Sequence, residues 1–425
     1  MEKKKLILVQ DGNHGEYRPR KNEFDADGIA FIRAADFCNG TLDFTGAENI
    51  NDVAFQRIRK GIGKDLDTIL STKGTVGKIA FVPENSPKFV CSPQTTFWRS
   101  LDHTFLHPQY LYYALQSKHF VNQISSRKGE TDMADYLSLT AQRSLSLLIP
   151  DISTQKKIVA QLSVIDAKLQ LGAQTNQTLE AIAQAIFKSW FVDFDSVKAK
   201  MNGEQPEGMD AATASLFPEK LVESELGLIP EGWEVKPLDK VAHFQNGLAL
   251  QKFRPESEDD EFLPVLKIAQ LRQGYCDGKE KARTDIKESC RVYDGDMIFS
   301  WSGSLMIDLW TGGNAALNQH LFKVTSEEYN LPLYLFWTKH HLVKFQQIAK
   351  DKAVTMGHIK RGHLSESLCV IPPKELRDKM DEVLMPLINQ GLNLRLQSNQ
   401  LAALRDTLLP KLLSGEIDLD KVLDV

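Results

Sequence analysis

The sequence predicts an α+β protein built twice over: two mixed α/β globular domains, each followed by a long helix. Three observations carry this. An apolar seam recurs at a fixed offset along the chain. The two globular segments show the same landmarks in the same order. The length, 425 residues, suffices for two or three domains with proper cores.

The seam comes first because it is the most specific. Ile158, Leu162, Ile165, Leu169, Gly172, Asn176, Leu179, Ala183, Ile186 and Trp190 are spaced alternately four and three, the a/d pattern of a coiled-coil stripe. Adding 222 gives Met380, Leu384, Leu387, Gly391, Leu394, Ser398, Leu401, Arg405, Leu408 and Leu412. Any one such helix fits an ordinary core. Two at constant offset, without a gap over about 40 residues, indicate duplication and hence pseudo-twofold symmetry. Each exposes a narrow stripe that the other can bury. At ~1.5 Å per residue each helix is roughly 60 Å long, enough for a spacer. Pro386 lies inside the second and should kink it or remove one hydrogen bond.

The elements follow in order. Residues 1–150 form the first domain. It opens on Leu6-Ile7-Leu8-Val9, too short for a good signal peptide and suited to a strand. Gly28 to Arg33 reads as a second strand. Asp67 to Val82 reads as strand, Gly-rich turn, strand. A helix begins near Pro108, and Leu145 to Pro150 closes the segment. Residues 151–195 hold the first long helix. Residues 196–232, rich in Pro, Gly, Ala and Glu, read as a linker or loosely packed crossover. Residues 233–373 form the second domain, in which Asp296 to Ser304 matches the first Gly turn, Leu331 to Trp337 the helix, and Leu368 to Pro372 the close. Residues 374–425 hold the second helix and tail. Side chains otherwise differ between the domains, so one scaffold carries two surfaces.

Composition excludes several classes. No apolar run approaches the ~20 residues of a membrane span. Five scattered cysteines without a CxxC argue against a disulfide framework or zinc site and for a reducing cytoplasm. The four segments 1–150, 151–232, 233–373 and 374–425 carry net charges of +2, −5, 0 and −2, giving −5 for the chain. None has the strongly basic balance of a stand-alone nucleic-acid binder, so any DNA contact needs local clustering or a partner.

Catalytic motifs are missing. There is no Asp/Asn-Pro-Pro-aromatic tetrapeptide for methylating an exocyclic amine, and no GxGxxG after a strand. Gly74-Thr75-Val76-Gly77-Lys78 lacks phosphate-loop spacing and leads into a strand, so it reads as a β-turn. Glu2-Lys3-Lys4 and Asp285-Ile286-Lys287 fit a nuclease triplet that chance readily supplies. His340-His341 lacks metal-ligand spacing. What remains suits recognition. Arg18, Arg20 and Lys21 share a polar loop, and Lys73, Thr75 and Lys78 lie in or beside the first Gly turn. Ser302 and Ser304 occupy the second turn. Arg127 and Lys128, then Lys352, Lys360 and Arg361, precede the domain ends at comparable places, and Lys252 and Arg254 add to the second domain. Such groups can contact phosphates or base edges. Singly each is more often a solvated charge; their recurrence in both halves singles them out.

Longer stretches carry a resemblance. Lys188-Ser189-Trp190-Phe191-Val192-Asp193-Phe194-Asp195, the run from Pro206 through Leu216-Phe217-Pro218, Glu225 through Pro230-Glu231-Gly232-Trp233-Glu234-Val235, and Ile149-Pro150 with Gln155-Lys156-Lys157 resemble the specificity subunit of type I restriction-modification systems over nearly the whole chain. Two departures stand out. Pro372-Pro373-Lys374-Glu375-Leu376-Arg377 lacks the Gln-Lys pair, and the first domain lacks a leading Pro-Glu-Gly-Trp. The resemblance implies two target recognition domains, each reading half of a split site in double-stranded DNA. It implies helices packed antiparallel that hold the domains apart and bind two methyltransferase subunits, with restriction subunits joining that core. It implies no bond-making and no cofactor in this chain. S-adenosylmethionine would belong to the methyltransferase, which flips out adenine, and ATP and magnesium to the restriction subunits. A ~60 Å helix covers roughly 17 base pairs, ample for two half-sites and an unread gap. A coiled-coil scaffold that binds only protein is the alternative, but it has no need of two domains with matching basic turns.

Overall fold

The computed structural model describes residues 6–38, 40–127, 135–351 and 357–417. It divides into two compact units, one of Met1–Gln170 with Leu401–Val425, the other of Leu171–Gln400. Each unit therefore takes part of both long helices, Ile152–Phe191 and Lys374–Ser414.

In the first unit an antiparallel sheet runs Ile7–Asp11, Thr95–Ser100, Thr68–Ser71, Ile79–Phe81. A second sheet runs Phe24–Asp25, Asn49–Ile50, Ile29–Ile32, Phe89–Cys91, its last pair parallel. The second unit repeats the plan. His243–Asn246, Leu321–Thr325, Met297–Ser300 and Met306–Leu309 form the antiparallel sheet. Phe262–Leu266 pairs in parallel with Ala315–Leu317 in the other. The strands that the sequence marks are these, and the Gly turns join the expected pairs. The helix at Pro108 is split into Pro108–Gln116 and Lys118–Ser125, because the Ser117 hydroxyl accepts the Phe120 N–H and starts a new helix. Its counterpart, Leu331–Asp351, runs unbroken.

Two expectations are corrected. Residues 196–232 are not a loose linker. They form helices Asp195–Met201 and Ala211–Ser215 and the hairpin Leu221–Ser224 with Gly227–Pro230. Val197, Phe217 and Ile229 are buried in the second unit's main core. A Pro/Gly-rich composition marked the turns and hid these short apolar anchors. The domain ends also differ. Leu368–Ile371 is a strand because Glu234–Pro237, following Trp233, pairs with it. Among the described residues of the first unit no strand pairs with residues 145–150, which form none.

The motifs that carried the resemblance turn out to be packing devices. Trp190, Phe191, Phe194, Phe217 and Trp233 form one aromatic cluster, with the Trp190 and Phe217 ring centroids 5.4 Å apart and Phe191 and Trp233 5.8 Å apart. Phe194 takes a left-handed conformation (φ 56°) that ends the long helix and starts the next. In the first unit Asp151 accepts the backbone N–H groups of Ser153 and Thr154 and caps the helix start. The fully buried Gln155 ties that start to the sheet side. Its amide donates to the Phe105 and Pro150 carbonyls, and its carbonyl accepts the His107 N–H. At the corresponding place in the second unit, Arg377 instead lies over the Tyr329 ring at 4.8 Å.

The seam residues are all buried or half-buried. Ile158, Leu162, Met380 and Leu384 are buried as members of the two globular cores, and Ile165 is buried too. Leu169, Leu179, Ile186, Leu387, Leu394, Leu401 and Leu408 are half-buried. The polar and small exceptions find one another. Gly172 faces Ser398, and Gly391 faces Asn176, so rising numbers on one helix meet falling numbers on the other: the pair is antiparallel. A Cβ at position 391 would lie 2.5 Å from Asn176 Oδ1. Arg405 meets Asp166 at 3.3 Å, and Asp166 also accepts the Tyr113 hydroxyl at 2.8 Å. The second helix continues through Pro386, which is exposed.

Candidate nucleic-acid interface

One corner of the fold is built identically in both units. Where the first strand of each antiparallel sheet ends, a glycine lets it pass close to the end of the parallel pair. A Cβ on Gly12 would sit 2.0 Å from the Cys91 carbonyl oxygen, and one on Gly247 2.3 Å from that of Leu317. Gly12 N–H donates to Thr95 O and Gly247 N–H to Leu321 O, each at 3.2 Å. Ser92 N–H donates to Ile32 O and Asn318 N–H to Leu266 O. The Gly turns meet a returning segment in the same way. Gly74 N–H donates to Asp135 O, as Gly303 N–H does to Gly357 O. Leu137 N–H donates to Thr72 O, as Ile359 N–H does to Trp301 O. Gly74 and Gly303 have φ of 79° and 66°, a conformation that L side chains rarely adopt.

On this common frame the side chains differ. Lys73 is bridged to Tyr136 in the first unit and Ser302 to His358 in the second. Gln94 beside the first turn corresponds to His320 beside the second, whose Nδ1 lies 3.1 Å from the Ser302 hydroxyl. Thr72 corresponds to Trp301, which packs against His320 and His358 at centroid distances of 6.0 and 6.3 Å.

The candidate cations divide by what already holds them. Arg18, Lys21 and Lys73 line one open cleft of about 830 Å³ together with Phe24, Phe31 and Arg33. Arg33 is engaged by both carboxylate oxygens of Glu48. Arg20 is exposed, and its backbone N–H donates to Glu23. The Arg57 guanidinium and this N–H hold the Glu23 carboxyl well below the usual carboxylate range, at about 2. Lys78 donates to the Ala34 carbonyl and half-buried Arg127 to that of Ala141. Arg361 donates to Phe244 O at 3.2 Å and stacks over Phe322, so its fork holds the first strand. Thr75, Ser304, Lys252 and Lys360 are exposed, whereas Ser302 is buried. Arg254 lines a second cleft of about 380 Å³ with Lys279, Lys281 and the acidic Glu256, Glu258 and Glu280. Lys128 and Lys352 lie outside the described residues.

Sequence reasoning missed Gln94, Tyr136, His320 and His358, the polar groups beside the turns. One signal was available: Tyr136 and His358 are separated by 222, the offset of the helices. Among the described residues no group of His, Cys, Asp and Glu suits a metal ion, and no helix is long and apolar enough to cross a membrane.

Known proteins share this plan. The model of the type I restriction modification DNA specificity domain matches residues 9–181 and again 230–401. The type I restriction enzyme HindI specificity subunit of Haemophilus influenzae is 26% identical over 94% of this chain and 96% of its own length. The MjaIX specificity subunit of Methanocaldococcus jannaschii is 24% identical over 94% and 89%. The crystal structure of the type I restriction-modification system S subunit from M. genitalium shares the fold, with a TM-score of 0.50 over 96% of this chain and 94% of that one at 13% identity. Two matched copies of the domain span most of the sequence, and the chain belongs to the family of type I restriction-modification specificity subunits.

Proposed function

We propose that this chain supplies sequence specificity to a type I restriction-modification complex, each domain reading one half of a two-part target in double-stranded DNA. The observation that carries this is the repeated corner: the same backbone hydrogen bonds hold Lys73, Gln94 and Tyr136 in one domain and Ser302, His320 and His358 in the other. A scaffold that only bound protein would have no use for matched loops with different polar groups. A duplicated reader of an asymmetric, bipartite site needs them.

The long helices set the unread gap and dock two methyltransferase subunits. Ile182 and Leu404, 222 residues apart and 44% and 47% exposed, are apolar groups at corresponding places on the two helices and suit such docking. The chain makes no bonds and takes no cofactor. S-adenosylmethionine is held by the methyltransferase, ATP and magnesium by the restriction subunits. The five free thiols suit the reducing cytoplasm in which this complex meets DNA.

The test is reconstitution. The purified chain should turn over no S-adenosylmethionine. With its methyltransferase it should direct adenine methylation to a split motif. Turnover by the isolated chain, or methylation by the methyltransferase with the same motif in its absence, would refute the reading.

A further inference from the structure

A side chain that reads a base edge must be held by rigid backbone, keep its polar atoms available, and differ between two domains that read different bases. Three positions in the first unit meet these demands, and the second unit holds groups of different chemistry at the corresponding places. Lys73 sits at the Gly turn and is bridged to Tyr136 on the returning segment. Gln94 lies beside them, because its carbonyl accepts the Thr72 N–H at 2.7 Å. Lys73 and Gln94 are exposed, and Tyr136 is 40% exposed. In the second unit the corresponding residues are Ser302, His358 and His320, with the Trp301 ring packed against both imidazoles. The nearby cations Lys78 and Arg361 are tied to the carbonyls of Ala34 and Phe244 and serve the frame.

We infer that residues 73, 94 and 136 in the first domain, and 320 and 358 in the second, determine which bases each half-site contains. This rests on the reading that each domain reads one half-site. The chemistry differs as two unlike half-sites require. Lys73 offers only donors and matches the O6 and N7 acceptors of guanine. Gln94 offers a donor and an acceptor, the pattern adenine presents in the major groove. In the second set two imidazoles packed against Trp301 take the place of the amide and the phenol, and the buried Ser302 hydroxyl lies 3.1 Å from His320 Nδ1.

The experiment uses the complete complex with its methyltransferase in a host free of other adenine methylation, read by methylome sequencing. The variants are Lys73→Ser, Gln94→His, and the triple K73S/Q94H/Y136H, which gives the first domain the second domain's groups. The reciprocal pair H320Q/H358Y tests the other domain. Lys73→Ser and Gln94→His each change an exposed side chain, so folding is preserved, and thermal melts of the variants verify it. We expect the first-domain variants to change or relax at least one base of one half-site, with methylation of the original sequence falling about tenfold or more, and the other half-site intact. H320Q/H358Y should alter only the opposite half. An unchanged motif in every variant overturns the inference, and so does a uniform loss of methylation without change of motif, which marks phosphate contacts. If the unaltered complex methylates no two-part motif, the parent reading fails instead.

Discussion

Leu162 and Leu384 stand 222 residues apart, one in each unit, and both are 0% exposed. Leu162 is packed in the first unit among Ile158, Tyr110, Tyr113, Leu409 and Leu412. Leu384 is packed in the second among Met380, Phe187 and Trp337. Truncation to alanine removes three carbons. At about 0.8 kcal/mol each the transfer loss is about 2.4 kcal/mol, and an unfilled cavity raises the total to about 3.5 kcal/mol. That multiplies the opening equilibrium by roughly 300. Half-buried Leu169, on the same helix, faces solvent on one side, and its truncation should cost about 1 kcal/mol, or roughly fivefold. The assay is hydrogen–deuterium exchange of the intact chain, followed at the most protected amides. Leu162→Ala should speed exchange of Ile7–Asp11 and Thr95–Ser100, strands whose residues share its core. Leu384→Ala should act on the core around Phe187 and Trp337. If both leucines cost less than tenfold, or Leu169→Ala costs as much as Leu162→Ala, the account of the seam is wrong.

Other outcomes follow from the same structure. Because the folded pKa of Glu23 is depressed from 4.5 to about 2, its stabilising effect is complete above pH 4.5 and disappears as the pH falls toward 2. The stability difference between wild type and Glu23→Gln, measured by urea unfolding, should be constant from pH 7 to 5 and shrink below pH 4.5. Constancy down to pH 2 would contradict the pairing with Arg57. Inserting one heptad after Asn176 and another after Ser398 preserves the seam phase and adds about 10 Å, or roughly three base pairs. Methylome sequencing should show a longer gap between unchanged half-sites; methylation only at the original spacing would remove the helices as the spacer. Trp233→Ala should destabilise the chain by about 3–5 kcal/mol, since Trp233 joins the aromatic cluster of Phe191, Phe194 and Phe217, and a melting temperature within a degree of wild type would argue against that cluster.

Periodicity revealed what is periodic. The seam spacing and its repeat located the two helices, and the glycine turns between apolar runs located the hairpins. The mid-seam Gly172, Asn176, Gly391 and Ser398 looked like defects in the stripe, yet they are partners across the helix pair. That pairing depends on antiparallel register, which a single helix pattern does not encode. The parallel pairings Ala30 with Phe89 and Val265 with Ala316 join segments about 50 to 60 residues apart, beyond the reach of local pattern. Residues 196–232 read as a linker because their anchors, Val197, Phe217 and Ile229, lie in apolar runs too short to show a period. For the candidate interface, Arg18, Lys21 and Lys73 were legible as exposed cations, and the fold brings them to one cleft. Charge alone did not separate them from Lys78 and Arg361, each of which donates to a backbone carbonyl. Tyr136 and His358 are brought to the turns by backbone bridges that no local sequence pattern marks.

The central claim is that each domain reads its own half of the target. It is tested most directly by replacing residues 233–370 with the equivalent domain of a relative that has a different target, and sequencing the methylome directed by the chimera with its methyltransferase. One half-site should change to the relative's sequence while the other half and the gap stay as they were. A change in both halves, or in neither, would contradict the account.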